Sequence, residues 1–172
     1  MTALYSPPVA DSALAETLQA QRDFFATGQT KSYDYRSAQL KKLKEASLER
    51  QEDIIKAAQS DLVIGVLAEL THTIKHLKSW RKPKKVGLPL AQLPGSARIQ
   101  SEPLGSVLII GPWNYPFQLV ISPLIGAIAS GNCAIIKPSE IAPATSSVVA
   151  SLIADTFPAN YIAVKEGGVE VA

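Results

Sequence analysis

The chain has 172 residues, 47% of them apolar and 19% charged, enough for one globular domain with a core of its own. Seventeen basic against 15 acidic side chains leave a net charge of +2, which argues against nucleic acid or a membrane surface as partner. A single cysteine excludes a disulfide framework, and the first residues lack the basic, apolar, small-residue order of a secretory leader, so the expected setting is the reducing cytoplasm.

Residues 1–10 read as an extended lead-in, because Pro7-Pro8 cannot enter a helix interior. Asp11 and Ser12 supply N-cap chemistry for a helix to about Thr27, stopped by Gly28, with Leu14, Leu18 and Phe25 inward and Gln21 and Arg22 outward. Asp34 is expected to cap a second helix running to about Ser60, which buries Leu40, Leu43, Ile54, Ile55 and Ala58. Residues 62–80 are helical again, with Leu67, Leu70, Ile74 and Leu77 three and four apart, and no clean breaker separates this helix from the second. The run Arg81-Lys82-Pro83-Lys84-Lys85 reads as a solvated loop. Pro89, Pro94 and Gly95 then punctuate short extended pieces over 86–93 and 97–101, which suit edge strands or a projecting β-arm.

The remaining residues carry the strongest pattern. Residues 106–110, β-branched and set between Gly105 and Gly111, predict a fully buried strand. Gly111-Pro112 and Pro116 place Trp113, Asn114 and Tyr115 on the turn that leaves it. Residues 117–130 follow as a buried helix ended by Gly131-Asn132, and residues 133–137 as a second buried strand ended by Pro138. A helix over 144–156, burying Val148, Leu152 and Ile153, and a strand over 161–164 complete the order β-α-β-α-β, the first half of a doubly wound parallel α/β sheet of the Rossmann type. The apolar stretch 104–136 is no membrane span, because Pro112, Asn114, Pro116, Gln118 and Pro123 interrupt it. The expected organisation is a helical segment over 1–85, a β-arm over 86–102 and the half-sheet over 103–172.

This topology brings Trp113-Asn114 and Lys137-Pro-Ser-Glu140 to the carboxyl edge of one sheet, where open α/β sheets bind ligands. The Asn114 carboxamide can aim its N–H at an oxygen gaining negative charge, or can hydrogen-bond its own turn. Trp113 can wall a flat ligand or simply pack. Lys137 and Glu140 can share the hydroxyls of a ribose, one donating and one accepting, or form a solvated surface pair. Neither a Gly-x-Gly-x-x-Gly turn nor a phosphate loop is present. Cys133 reads as a small buried residue rather than a nucleophile, and His72 and His76, four apart on a helix, lack the third ligand of a metal site.

Gly111-Pro-Trp-Asn-Tyr-Pro-Phe117 and Gly131-Asn-Cys-Ala-Ile-Ile-Lys-Pro-Ser-Glu140 together resemble the two N-terminal signatures of the aldehyde dehydrogenases, in the class 3 branch that acts on fatty and aromatic aldehydes. The resemblance implies the N-terminal part of an NAD(P)-dependent enzyme that oxidises aldehydes to carboxylic acids. Asn114 matches the asparagine that helps stabilise the oxyanion of the thiohemiacetal; Ile110, Gly111, Pro112 and Trp113 match the segment beside the nicotinamide ribose; Lys137 and Glu140 match residues that hold the adenine-ribose hydroxyls. Glu140 implies NAD, with NADP as the alternative, and residues 86–101 match an arm that makes homodimer contacts.

The resemblance also marks two departures. The general-base glutamate, catalytic cysteine, phosphate turn and substrate domain of the family have no counterpart in these 172 residues, and a glycine- and aromatic-containing loop between the second and third helices is replaced by Ser60-Asp61-Leu62-Val63. The expectation is a chain that has no turnover alone and acts on aldehydes only if the missing part is supplied. The alternative is a non-catalytic remnant that binds nucleotide or dimerises.

Overall fold

The computed structural model describes residues 12–58, 63–168 and 171. The expected lead-in over 1–10, the capping Asp11 and the junction at 60–62 lie outside these residues. Helix α1 (Ser12–Ala26) ends before Gly28, whose φ of 75° is the left-handed conformation that terminates a helix without a Cβ clash. Gln21, expected on the outer face, is instead fully buried, and its Nε2 donates to the Ala134 carbonyl at 2.8 Å. A polar side chain tolerates the interior when it satisfies a backbone group there, which outweighs its place on the helix wheel.

The expected single helix from Asp34 to Ser60 is two helices, α2 (Tyr33–Glu49) and α3 (Gln51–Ala58). Its N-cap is Ser32, whose Oγ accepts from the Tyr35 N–H at 3.4 Å, while Asp34 sits in the first turn, where its charge favours the helix dipole. The break falls at Arg50 (φ −104°, ψ 15°), within the polar run Glu49-Arg50-Gln51-Glu52-Asp53 that offers no apolar anchor for a straight continuation. Arg50 then reaches Ser151 Oγ at 3.0 Å and pairs with Asp155, which ties the break to a later helix. Helix α4 (Val63–Trp80) buries Val63, Val66, Leu70, Thr73 and Leu77 at helical spacing.

An antiparallel arm follows, β1 (Lys84–Val86) paired with β2 (Ala97–Ile99), shorter than the extended pieces expected and joined through a 3-10 turn at Leu90–Gln92. Strands β3 (Ser106–Ile110), β4 (Cys133–Lys137) and β5 (Ile162–Val164) form a parallel sheet in that order, with Ser106 opposite Cys133, Ile110 opposite Lys137 and Ala134 opposite Ile162. The crossovers are α5 (Gln118–Ser130) and α6 (Pro143–Thr156). Ile109, Ala134, Ile136 and Ile162 meet Val120, Ile121, Leu124, Ile128, Val149, Leu152 and Ile153 in one core, and α2 and α4 pack outside the crossover helices. Each fully buried side chain of this size contributes roughly 1.5–3 kcal/mol.

The expectation that β3 is buried on both faces fails. Ile109 is buried, but Leu108 and Ile110, on the opposite face, remain 58% and 57% exposed. That face has α1 only at its amino-terminal end, near Cys133. Strand β4, flanked on both sides, is buried at all five positions.

Gly131 ends α5 at φ 92°, and a Cβ there would meet the Thr30 carbonyl oxygen at 2.9 Å. Gly131→Ala is therefore expected to lower stability by about 1–3 kcal/mol, read as a shift in the urea unfolding midpoint with an unchanged slope.

Candidate functional site

The parallel register delivers both turns to one edge. Gly111 leaves β3 with its N–H donating to the Lys137 carbonyl at 2.8 Å, and a Cβ on Gly111 would strike Val120 Cγ2 at 2.2 Å. Only glycine lets the chain pass between β4 and α5 at this point. Pro112 is half-buried; Trp113, Asn114 and Tyr115 then stand exposed in sequence. Tyr115 has φ 50°, a left-handed conformation rare for a residue with a large side chain. Pro116 steers the residue before it toward extended backbone, so the left-handed conformation of Tyr115 had no local sequence signal. The Tyr115 carbonyl accepts from the Leu119 N–H at 3.0 Å, which locks the turn onto the start of α5.

Among the described residues the Asn114 carboxamide has no hydrogen-bond partner, so the reading in which it bonds its own turn fails. Its donor is available to an external oxygen. Trp113 is likewise 63% exposed rather than packed, and lines a cleft of about 550 Å³ with Tyr115, Phe117, Val63, Ile141 and Thr145. The far wall of this cleft, from the end of α3 and the loop before α6, had no local sequence signal because long-range packing places it.

Lys137 closes β4 with its side chain almost wholly buried, and its Nζ donates to Glu140 Oε2 at 2.9 Å. The expected alternative of a solvated surface pair therefore does not describe the lysine. Hydrogen bonding from Lys137, with help from a backbone N–H, holds the Glu140 carboxyl below its ordinary value. Cys133 lies at the other end of β4, fully buried, with its thiol pushed up to about 11 by burial. The structure keeps it out of the candidate site, as its sequence context implied. His72 and His76 stack on Trp80 along α4, and no group of three or more metal-ligating side chains occurs among the described residues.

The model of the aldehyde dehydrogenase family matches residues 5–172. The chain belongs to the aldehyde dehydrogenase family. It is 49% identical over 158 residues to 4,4'-diaponeurosporen-aldehyde dehydrogenase of Staphylococcus aureus, an alignment covering 86% of this chain and 34% of that protein. It is 43% identical over 159 residues to aldehyde dehydrogenase family 3 member I1, chloroplastic, of Arabidopsis thaliana, covering 86% of this chain and 29% of the relative. A solved structure of Staphylococcus aureus AldH in a substrate-bound state superposes with a TM-score of 0.88 at 46% identity, covering 92% of this chain and 37% of that one. The chain thus spans about a third of the length of these relatives, and its fold is the N-terminal portion of the family's fold, with an incomplete sheet.

Because the Glu140 carboxyl lies below its ordinary 4.5, the Lys137–Glu140 pair is intact at and above that pH and releases only as pH falls through the lowered value. A carbon-detected NMR titration should give Glu140 a midpoint below 4.5, and Lys137→Ala should return it toward 4.5. The Cys133 thiol should resist alkylation at neutral pH in the folded protein and react at the ordinary rate in denaturant.

Proposed function

We propose that this chain is the cofactor-side portion of an NAD(P)-dependent aldehyde dehydrogenase, in which Asn114 serves the reacting carbonyl and the Lys137–Glu140 pair serves a ribose. The observation that carries this reading is the juxtaposition, at one carboxyl edge, of an unpartnered exposed carboxamide and a buried lysine clamped to a half-exposed carboxylate. The donor set fits the cofactor: Lys137 supplies N–H donors and Glu140 an acceptor, as a vicinal diol requires, while Ile110, Gly111, Pro112 and Trp113 supply an open apolar flank for a flat ring. NAD(P), when bound, accepts the hydride of the oxidation.

The chain's own contribution is positional and electrostatic. The glycine passage at 111 and the left-handed Tyr115 present the Asn114 N–H outward, where it stabilises the carbonyl oxygen as that oxygen gains negative charge. Removing one such donor costs on the order of 100- to 1,000-fold in rate in an assembled site. The organisation proposed is a helical segment over 1–85, an arm over 86–102 and the first half of the cofactor domain over 103–172.

The 172 residues alone are expected to show no aldehyde-dependent NADH formation, because their one thiol is buried and held protonated. Turnover by the purified chain, abolished by Asn114→Ala, would contradict that. Calorimetric titration with NAD and with NADP should detect binding, weakened about ten-fold or more by Lys137→Ala. Wild-type protein that binds neither nucleotide would remove the cofactor reading.

A further inference from the structure

Helix α4 carries a stripe that the candidate site does not use. His72 and His76 lie four residues apart, so only about 40° separates them around the helix axis, and Trp80 extends the same line one turn on. The two imidazole rings sit with centroids 4.1 Å apart and 30° between their planes. Trp80 packs against both, at 5.7 Å from His72 and 5.8 Å from His76. His72 is exposed and His76 half-buried, while Thr73 and Leu77 beside them enter the core. The stripe thus faces outward from a helix whose other side is fixed against α2 and α5.

The hydrogen bonding of this stripe sets its chemistry. His76 Nδ1 lies 2.8 Å from the His72 carbonyl oxygen. A carbonyl only accepts, so the proton sits on Nδ1 and the lone pair of the neutral ring is left on Nε2. This is the outer hydrogen bond that a metal-ligating imidazole ordinarily makes, and it fixes both the tautomer and the ring direction. Among the described residues neither histidine pairs with a carboxylate. Glu69, the only acidic residue of α4, accepts from Ser122 Oγ at 2.5 Å, which keeps the donor set to two imidazoles. Lys75 and Lys78 fall about 80° and 140° around the helix from the middle of the pair, so neither ammonium stands on the stripe. A metal about 2.0–2.1 Å from two nitrogens in a tetrahedral arrangement needs them about 3.3 Å apart, a small adjustment for rings already stacked at 4.1 Å.

We propose that His72 and His76 form a two-imidazole chelate for a divalent ion of the copper, nickel and zinc class, with water completing the coordination. Imidazole nitrogen selects these ions over magnesium and calcium, which take oxygen ligands. The pair falls short of the closed four-ligand sites around which a fold is built, so the metal is held reversibly. Its binding ties two successive turns of α4 together on the outer face. A ligand that needs both turns helical binds the folded chain and not the unfolded one, so the metal stabilises the fold.

Calorimetric titration of the full chain with zinc chloride should give one equivalent bound, and titration with magnesium chloride none. The second imidazole binds intramolecularly, so His72→Ala or His76→Ala should each weaken zinc binding on the order of 100-fold, with circular dichroism unchanged. His72→Ala with Lys75→His keeps two histidines but sets them about 100° apart around the helix, and should bind as weakly as the single variants. Copper sulfate should quench the emission of Trp113→Phe, in which Trp80 is the one remaining tryptophan, and should leave it unquenched when His72→Ala is added. Zinc should also raise the urea unfolding midpoint of the wild type and not that of His72→Ala. The assignment is overturned if zinc and magnesium bind alike, or if either single variant or the split pair binds zinc as the wild type does. It is equally overturned if millimolar zinc or copper produces no heat, no quenching and no rise in the midpoint.

Discussion

The parallel pairing of β3 with β4 is the constraint on which the other features depend. Two parallel neighbours need a crossover, and the crossover here is the mostly apolar α5, whose apolar side chains are buried between the sheet and the outer helices α2 and α4. Once Ile110 stands opposite Lys137, the turns at 111–116 and 138–142 must leave the sheet on the same side. The candidate site is thus a by-product of strand direction. No residue in either turn needs to touch the other for both to face a common ligand.

Within that frame, Lys137 occupies an unusual boundary. It is the last residue of a strand buried at every position, so its stem runs through the interior and its charge must emerge at the edge or find a counterion there. Glu140, three residues on and past a proline, is the counterion within reach. A buried ammonium is tolerated only when paired, which is why the pair is more than a surface contact despite the exposure of the carboxylate.

Much of this was legible in the residues themselves. The strands at 106–110 and 133–137 and the helix between them are bounded by glycines and prolines whose backbone limits act locally, and the structure places all three as expected. The failures came where a distant partner decided the outcome. The polar run around Arg50 contains no helix breaker, so its restart was not legible there, and the ties of Arg50 to Ser151 and Asp155 of α6 are long-range. Gln21 reads as an outer residue until the Ala134 carbonyl is placed beside it. Ser106 to Ile110 reads as buried because its composition matches a core strand, whereas among the described residues its second face meets α1 only at one end. Strand order alone places Trp113, Asn114, Lys137 and Glu140 at one sheet edge, while the cleft wall from Ala57, Ala58 and Thr145 had no local signal, since two elements distant in sequence, α3 and α6, build it.

The buried Gln21 amide has a consequence for how the chain acquires its structure. Its donor engages Ala134 and lies 3.4 Å from the Tyr161 carbonyl, partners 113 and 140 residues further along. Helix α1 is synthesised before these partners, so its polar anchor does not exist until β4 and the residues leading into β5 have been made and paired. Loops of that length close slowly compared with helix formation, so α1 forms well before its partner arrives. An element made early is thus secured late, by residues more than a hundred positions further along.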